Sequence, residues 1–275
     1  MIKLPPHLTL ELTAKCNYAC PYCYCVWHES GKRLPRDRST DQWKKILDRC
    51  AEDGVKSLSF SGGEPLLRKD LRELIRYAKK LLPDARLDLF TNNSRMKEDD
   101  FFFFKENRVH LSTSLQGLRS YGAMTGTRRT YCKTLDFLLF AAENDWRAGV
   151  SMTATKANLF EFEDMYAAAI LSGAKNIQMG AMMPEGRGRN YLDLTLSRAE
   201  WNTLKQRICA LPHGDVPFSF CDEMLCICRE QPVDLLERFG DPEQKTCPAG
   251  KDFGVIGPDG HFRRCLHHTA SFPLR

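Results

Sequence analysis

Short apolar runs of period two alternate along this chain with longer stretches whose apolar positions recur every three to four residues. Residues 8–12, LTLEL, read as a strand that ends just before a cysteine cluster. Residues 39–54, STDQWKKILDRCAEDG, read as a helix with Ser39 or Thr40 as N-cap and Gly54 just past its end. The same two signatures then predict a strand over 57–61, a helix over 69–82 and a strand over 86–90. A short helix around 101–107, a strand over 108–115 and a helix around 133–144 follow. A strand over 149–155, a helix over 160–173 and a sixth strand over 176–182 complete the series.

Six βα repeats argue for parallel strands joined by helical crossovers. The expected fold class is α/β, a partial (β/α)6 barrel of parallel strands with a small cysteine-rich C-terminal module. A complete barrel or an open doubly wound sheet is compatible with the same periodicity. In each of these arrangements chemistry collects at the C-terminal ends of the strands. The pattern changes after EGRGRN (185–190), where one helix over 197–211 leads into a turn-rich tail over 212–275. The expected division is a core over 1–195 and a metal-binding module over 196–275.

A chain of 275 residues has room for one large α/β domain and a small appendage. No uncharged apolar run approaches the ~20 residues of a membrane-spanning helix, and the N-terminus lacks the charged start and apolar core of a signal peptide. The expected location is the cytoplasm, with no membrane partner. A net charge of +5, with only short basic pairs such as Arg128-Arg129, gives no argument for nucleic acid. Twelve cysteines are the compositional departure, and in a reducing compartment close spacing points to metal or redox chemistry. Cys50, Cys132 and Cys209 stand alone in helical patterns and read as small buried apolar residues.

CNYACPYC puts Cys16, Cys20 and Cys23 in one tight loop after the first strand. Thiolates so placed can each take one iron of a cubane cluster, and three ligands leave one iron open. The competing reading is a zinc site completed by Cys25, although two residues of spacing from Cys23 strain a tetrahedral arrangement. SGGEP, residues 61–65, follows the second strand. Its glycines let backbone approach a ligand closely, and Glu64 offers an acceptor for an ammonium, though such a turn alone is ordinarily just a turn.

C-x3-C-x2-C with Tyr22 before the last cysteine resembles the signature of the radical S-adenosylmethionine (SAM) superfamily. LTLELTAKCNYACPYCY resembles its form in members with C-terminal auxiliary-cluster modules. The resemblance implies a [4Fe-4S] cluster on Cys16, Cys20 and Cys23 whose open iron chelates the amino and carboxylate groups of SAM. It also implies reductive cleavage of SAM to a 5′-deoxyadenosyl radical that abstracts hydrogen. Gly62, Gly63, Glu64 and Pro65 resemble the family's GGEP motif, which holds the SAM amino group; the two motifs together argue against zinc.

Softer matches follow. TNNS (91–94) resembles the family's Thr-Asn-Gly position, with Asn92 the candidate contact and Asn93 where glycine is usual. Ser114 in LSTSLQG matches the serine that contacts the SAM ribose or carboxylate, and Gln116-Gly117 stand where many relatives have Asp-Gly. Thr125-Gly126 replace an Arg-Gly pair, which makes Arg128 the candidate for the missing cation. Met182, Met183 and the PEGRGR turn resemble the adenine-side segment, with Met183 the candidate contact.

The tail reads C-x12-G-x4-C from Cys247 to Cys265, with a GPDG turn between two apolar segments that predicts a hairpin. It resembles the opening of the SPASM module, which binds auxiliary iron-sulfur clusters, but the chain stops ten residues after Cys265. A single auxiliary cluster of the "twitch" kind could use Cys247, Cys265 and two of Cys221, Cys226 and Cys228; a structural zinc would suit the same thiolates. His261, His267 and His268 read as exposed polar residues rather than ligands.

Relatives with this tail mature ribosomally made peptides or oxidise small molecules such as sugars and cofactor precursors. The leading expectation is peptide maturation by crosslinking, oxidation or epimerisation; the runner-up is a small-molecule radical enzyme. A non-catalytic iron-sulfur or zinc protein would leave GGEP unexplained. Expected partners are the peptide or small-molecule substrate, a reductant protein such as flavodoxin or ferredoxin, and a separate peptide-recognition protein, since no such domain precedes the first strand.

Overall fold

The structure is a computed structural model that describes residues 3–128, 130–221 and 248–274. The strands are β1 (His7–Thr13), β2 (Ser57–Gly62), β3 (Arg86–Thr91), β4 (Val109–Ser114), β5 (Ala148–Ala154), β6 (Asn176–Ala181), β7 (Phe218–Cys221), β8 (Phe253–Ile256), β9 (His261–Arg263) and β10 (Phe272–Pro273). The helices are α1 (Thr40–Glu52), α2 (Leu71–Leu81), α3 (Glu98–Glu106), α4 (Tyr121–Thr125), α5 (Cys132–Glu143), α6 (Phe162–Leu171) and α7 (Arg198–Cys209). The six predicted strands and their crossover helices are all present.

Local chemistry explains the elements. Ser39 caps α1 in a capping box with Gln42, and the helix buries Trp43, Leu47 and Cys50 along one stripe. Ser197 and Glu200 form the same box at α7. α2 buries Leu71, Leu74, Ile75 and Ala78 at the spacing of one helical face. No helix among the described residues is long and apolar enough to cross a membrane.

Contacts divide the chain into two compact units. The first comprises Met1–Asn17, Cys25–Ser112 and Pro248–Arg275; the second comprises Tyr18–Tyr24 and Thr113–Cys247. In the first unit β1 is flanked by two parallel neighbours, β2 (Leu10↔Phe60) and β8 (Leu10↔Ile256), and β3 continues parallel beyond β2. β9 and β10 add antiparallel to β8. In the second unit β5, β6 and β7 run parallel, with Val150, Met152, Ile177 and Met179 buried on one face. Trp201 of α7 meets Phe220 edge-on at 5.7 Å, and Tyr166 of α6 meets Phe218 at 6.1 Å.

The expected hairpin around GPDG is present as β8–β9, closed by Gly260 N–H to Gly257 O at 2.8 Å, and β8 pairs parallel with β1. Strands of three and four residues cannot bury a face by themselves, and pairing with β1 supplies the missing partner. β7 lies in the tail read as turn-rich and α4 in a stretch to which the sequence reading assigned no element, because four or five residues are too few to display a period.

Candidate functional site

β1 ends at Thr13, and three residues later the chain reaches Cys16. In the first unit this exit is held by the GGEP turn. Gly63 N–H donates to Thr13 O at 2.7 Å and Glu64 N–H to Lys15 O at 2.8 Å. A Cβ on Gly63 would fall 2.1 Å from the Lys15 carbonyl oxygen, so only glycine permits this approach. Pro65 is buried at the head of the short turn Pro65–Leu67.

Glu64 is fully buried, and its carboxylate is engaged within the protein. Oε1 accepts from Leu66 N–H (2.9 Å) and the Thr91 hydroxyl (2.7 Å), and Oε2 accepts from Asn92 N–H (2.8 Å). Burial pushes the carboxyl up, and these three donors pull it only part of the way back. The side chain therefore fixes the end of β3 beside the turn. From there the Asn92 amide reaches Asn17 Oδ1 at 3.1 Å and stands 4.0 Å from Cys16 Sγ. Asn93 has φ +58°, in the left-handed region that asparagine tolerates best after glycine. That conformation accounts for asparagine at a position where the resembling sequences have glycine.

The second unit holds the rest of the cysteine loop. The Thr125 carbonyl accepts Ala19 N–H at 3.0 Å and faces the Cys20 thiol at 3.9 Å. Gly126 ends α4 at φ +64°, and a Cβ there would lie 2.9 Å from the Ala19 Cβ. Arg187 Nη1 donates to Cys20 O and Gly188 N–H to Cys23 O, each at 3.2 Å. Arg189 is paired with buried Glu185 at 2.7 Å, which braces this turn. Burial, together with the neighbouring Cys20 and Cys23, holds the Tyr22 hydroxyl well above the usual phenol range. Thus Thr125-Gly126 and PEGRGR hold the loop, a role the sequence reading did not assign to them, because it runs through backbone carbonyls and amides. Arg128 is exposed.

Ser114 closes β4, half-buried, and its carbonyl accepts the Thr134 hydroxyl at 3.1 Å. Gln116 is buried and acts as a strand edge, with Oε1 accepting Thr153 N–H (2.7 Å) and Nε2 donating to Ser151 O (3.2 Å). Buried Glu161, unmarked in the sequence, accepts the N–H groups of Leu118, Arg119 and Ser120 at 2.8–3.1 Å and the Ser120 hydroxyl. Burial alone would raise its carboxyl, but the Ser120 hydroxyl and the three amides outweigh it and hold it below the usual value. Met182 and Met183 are both buried.

In the tail, the Cys221 Sγ lies 2.8 Å from Gln178 Nε2, and Cys265 is buried; Cys226, Cys228 and Cys247 lie outside the described residues. His267 and His268 are buried, not exposed as expected, because the turn after β9 folds inward around Arg263, which donates to the carbonyls of Leu266 and His268. Cys50 is buried as expected. Cys132 and Cys209 are exposed, since they are the first residue of α5 and the last of α7, where a helix end projects. Cys25 is buried at the head of the turn Val26–His28.

Among the described residues no three His, Cys, Asp or Glu side chains gather closely enough for one metal ion. Cys16, Cys20 and Cys23 form no disulfide among the described residues, and an amide donor directed at a cysteine sulfur stabilises the thiolate form. The donor set fits an iron-sulfur cluster.

The family model described as the Radical SAM superfamily matches residues 10–169. The sporulation killing factor maturation protein SkfB of Bacillus subtilis is 26% identical over 186 residues, covering 67% of this chain and 44% of SkfB. The PqqA peptide cyclase of Bradyrhizobium diazoefficiens is 31% identical over 189 residues, covering 64% of this chain and 46% of the cyclase. The chain thus spans about half the length of these curated relatives. Streptococcus suis SuiB, solved bound to S-adenosylmethionine, superposes with a TM-score of 0.76 at 15% identity, over 98% of this chain and 63% of SuiB. The likeness bears out the expected α/β class, a partial barrel of mostly parallel strands with a cysteine-rich C-terminal region.

Proposed function

The chain belongs to the radical SAM superfamily, and from that premise we propose that it matures a ribosomally made peptide by a crosslink, an oxidation or an epimerisation. The observation that carries the radical chemistry is the held three-cysteine loop: Cys16 faces the Asn92 amide, and the carbonyls of Cys20 and Cys23 are tied to Arg187 and Gly188. Cys16, Cys20 and Cys23 would hold the [4Fe-4S] cluster, and the GGEP turn lies beside the chain that leads into Cys16. The chemistry supplied there is one-electron cleavage of SAM to methionine and a 5′-deoxyadenosyl radical, with the electron from a protein such as flavodoxin or ferredoxin.

The peptide reading is supported by the two curated relatives, a killing-factor maturation protein and a peptide cyclase. SuiB, whose fold the chain shares, has also been solved with its precursor peptide SuiA. A separate peptide-recognition protein completes this reading. Gly62, Gly63, Asn92, Ser114 and Met183 are proposed to face SAM. Glu64 and Pro65 are proposed to shape the turn, while Arg128 supplies a cation from the surface. Cys265 with Cys221, Cys226, Cys228 and Cys247 is the proposed donor pool for an auxiliary iron-sulfur cluster.

The test uses anaerobically reconstituted protein, reductant, SAM and candidate precursor peptides synthesised from any short reading frames found beside this gene, deuterated at their side chains. Deuterium in the 5′-deoxyadenosine and a changed peptide mass are expected. 5′-Deoxyadenosine that carries no deuterium, with an unmodified peptide, would move the substrate to the small-molecule class; no 5′-deoxyadenosine at all would remove the enzymatic reading.

A further inference from the structure

β1 carries an acid where its neighbours are apolar. Glu11 lies between Leu10 and Leu12, and all three are buried. A carboxylate taken out of water needs a cation and further hydrogen bonds. The cation comes from the far end of the chain, because β9 adds to β8 and β8 pairs with β1. Arg263, equally buried, bonds its Nη2 to Glu11 Oε2, and its Nη1 donates to the carbonyls of Leu266 and His268 at 3.1 Å each.

The same carboxylate oxygen accepts the Trp27 indole N–H at 2.7 Å, and the Arg263 guanidinium lies over the Trp27 ring, 5.3 Å from its centroid. Trp27 stands four residues past Cys23. Its neighbour His28 brings Nε2 to 2.6 Å from Ala14 O, two residues before Cys16. The chain entering the three-cysteine loop and the chain leaving it are therefore fastened to each other at Glu11, Trp27, His28 and Ala14. Arg263 is the member that neutralises the acid and sets its cation over the indole.

We propose that Arg263 is a positioning residue for the three-cysteine loop, acting through Glu11 and Trp27 to hold Cys16 in its ligating position. The proposal rests on the reading that this loop holds a cluster. Lysine could neutralise Glu11, but a single ammonium cannot at once bond Glu11, serve the two carbonyls and lie over Trp27 as the planar guanidinium fork does. The arginine is thus required for geometry beyond its charge.

The experiment compares the full chain with Arg263→Lys, and with Glu11→Gln/Arg263→Met, which removes the charge pair without stranding either partner. Arg86→Lys, at an exposed pair with Asp88, is the control. Alkylation of the metal-free proteins, mapped by mass spectrometry, is expected to be about tenfold faster at Cys16 in both test variants, as local opening would produce. Exposed Cys132 and Cys209 are expected to react at unchanged rates. After reconstitution, the electron paramagnetic resonance spectrum of the reduced cluster, with and without SAM, is expected to change in the test variants and not in Arg86→Lys. If Arg263→Lys fails to fold, the double variant decides. Wild-type alkylation rates and spectra in the folded double variant would overturn the proposal. Wild-type protein that takes up no iron would instead overturn the cluster reading, and the alkylation rates would still judge Arg263.

Discussion

Thr91 donates its hydroxyl to Oε1 of Glu64 at 2.7 Å, and the backbone N–H of the next residue, Asn92, reaches Oε2. The carboxylate of the GGEP turn thereby extends the hold between β2 and β3 past their ladder, to Thr91 and Asn92. Glu64→Ala leaves three donors without their acceptor, and a cost of about 1–3 kcal/mol is expected for each that stays buried and unpaired. Urea melts should show a lower midpoint at unchanged slope, the mark of lost stability without a change in the surface exposed. Wild-type stability in Glu64→Ala would return the side chain to a purely ligand-binding role.

The same burial sets a pH dependence. Because the folded carboxyl of Glu64 is raised above its unfolded value, its contribution is fully present below the unfolded value and is lost as pH rises through the folded one. Glu64→Gln should lack that decline, so the difference between wild type and variant should vary across mildly acidic pH. Parallel stability curves would mean that the carboxyl is not raised.

Much of this was legible in the sequence, for physical reasons that also mark the limit. Periods of two and 3.6 reveal strands and helices of six residues or more, and the cysteine loop and GGEP turn are short contiguous motifs. Thr125, Glu161 and Arg263 were not legible. Thr125 meets Cys20 across 105 residues of sequence and does so through its carbonyl, which any residue possesses. Arg263 meets Glu11 across 252 residues, and only the pairing of β8 with β1 brings them together. Asn93 shows the converse, a local residue choice that followed from a positive φ.

Iron content tests the ligands. Reconstituted wild-type protein is expected to hold about four irons more than the Cys16→Ala/Cys20→Ala/Cys23→Ala variant. Cys25→Ala should load as wild type, since its thiol is proposed as a bystander. Equal iron in wild type and triple variant would remove the cluster from this loop. Roughly a cluster's worth of iron remaining in the triple variant would place a second cluster on the tail cysteines.

Gly126 offers a test of the loop's hold in the second unit. Alanine at φ +64° carries a left-handed cost of about 1–2 kcal/mol, and its methyl would also press on Ala19, 2.9 Å away. Gly126→Asn eases the backbone cost but not the crowding. Iron loading should therefore fall in both variants, and stability should fall further in Gly126→Ala. Full loading in both would show that Ala19 and Cys20 tolerate displacement.

Glu161 gives a pH test of opposite sign. Its carboxylate collects the N–H groups of Leu118, Arg119 and Ser120 just before α4, the helix that ends in Thr125. Burial opposes the charged form, but the Ser120 hydroxyl and the amides prevail and the carboxyl is held low. Its contribution is then present above the unfolded value and is lost as pH falls through the folded one. Glu161→Gln keeps the size of the side chain but turns an N–H₂ group toward donors, which leaves at least one of them unpaired. At neutral pH the variant should melt lower than wild type, and the gap should close on acidification as the wild-type carboxylate takes up its proton. Thermal melts of both proteins over acidic to neutral pH measure this directly. A gap of constant size would mean that the loop before α4 is held by shape alone.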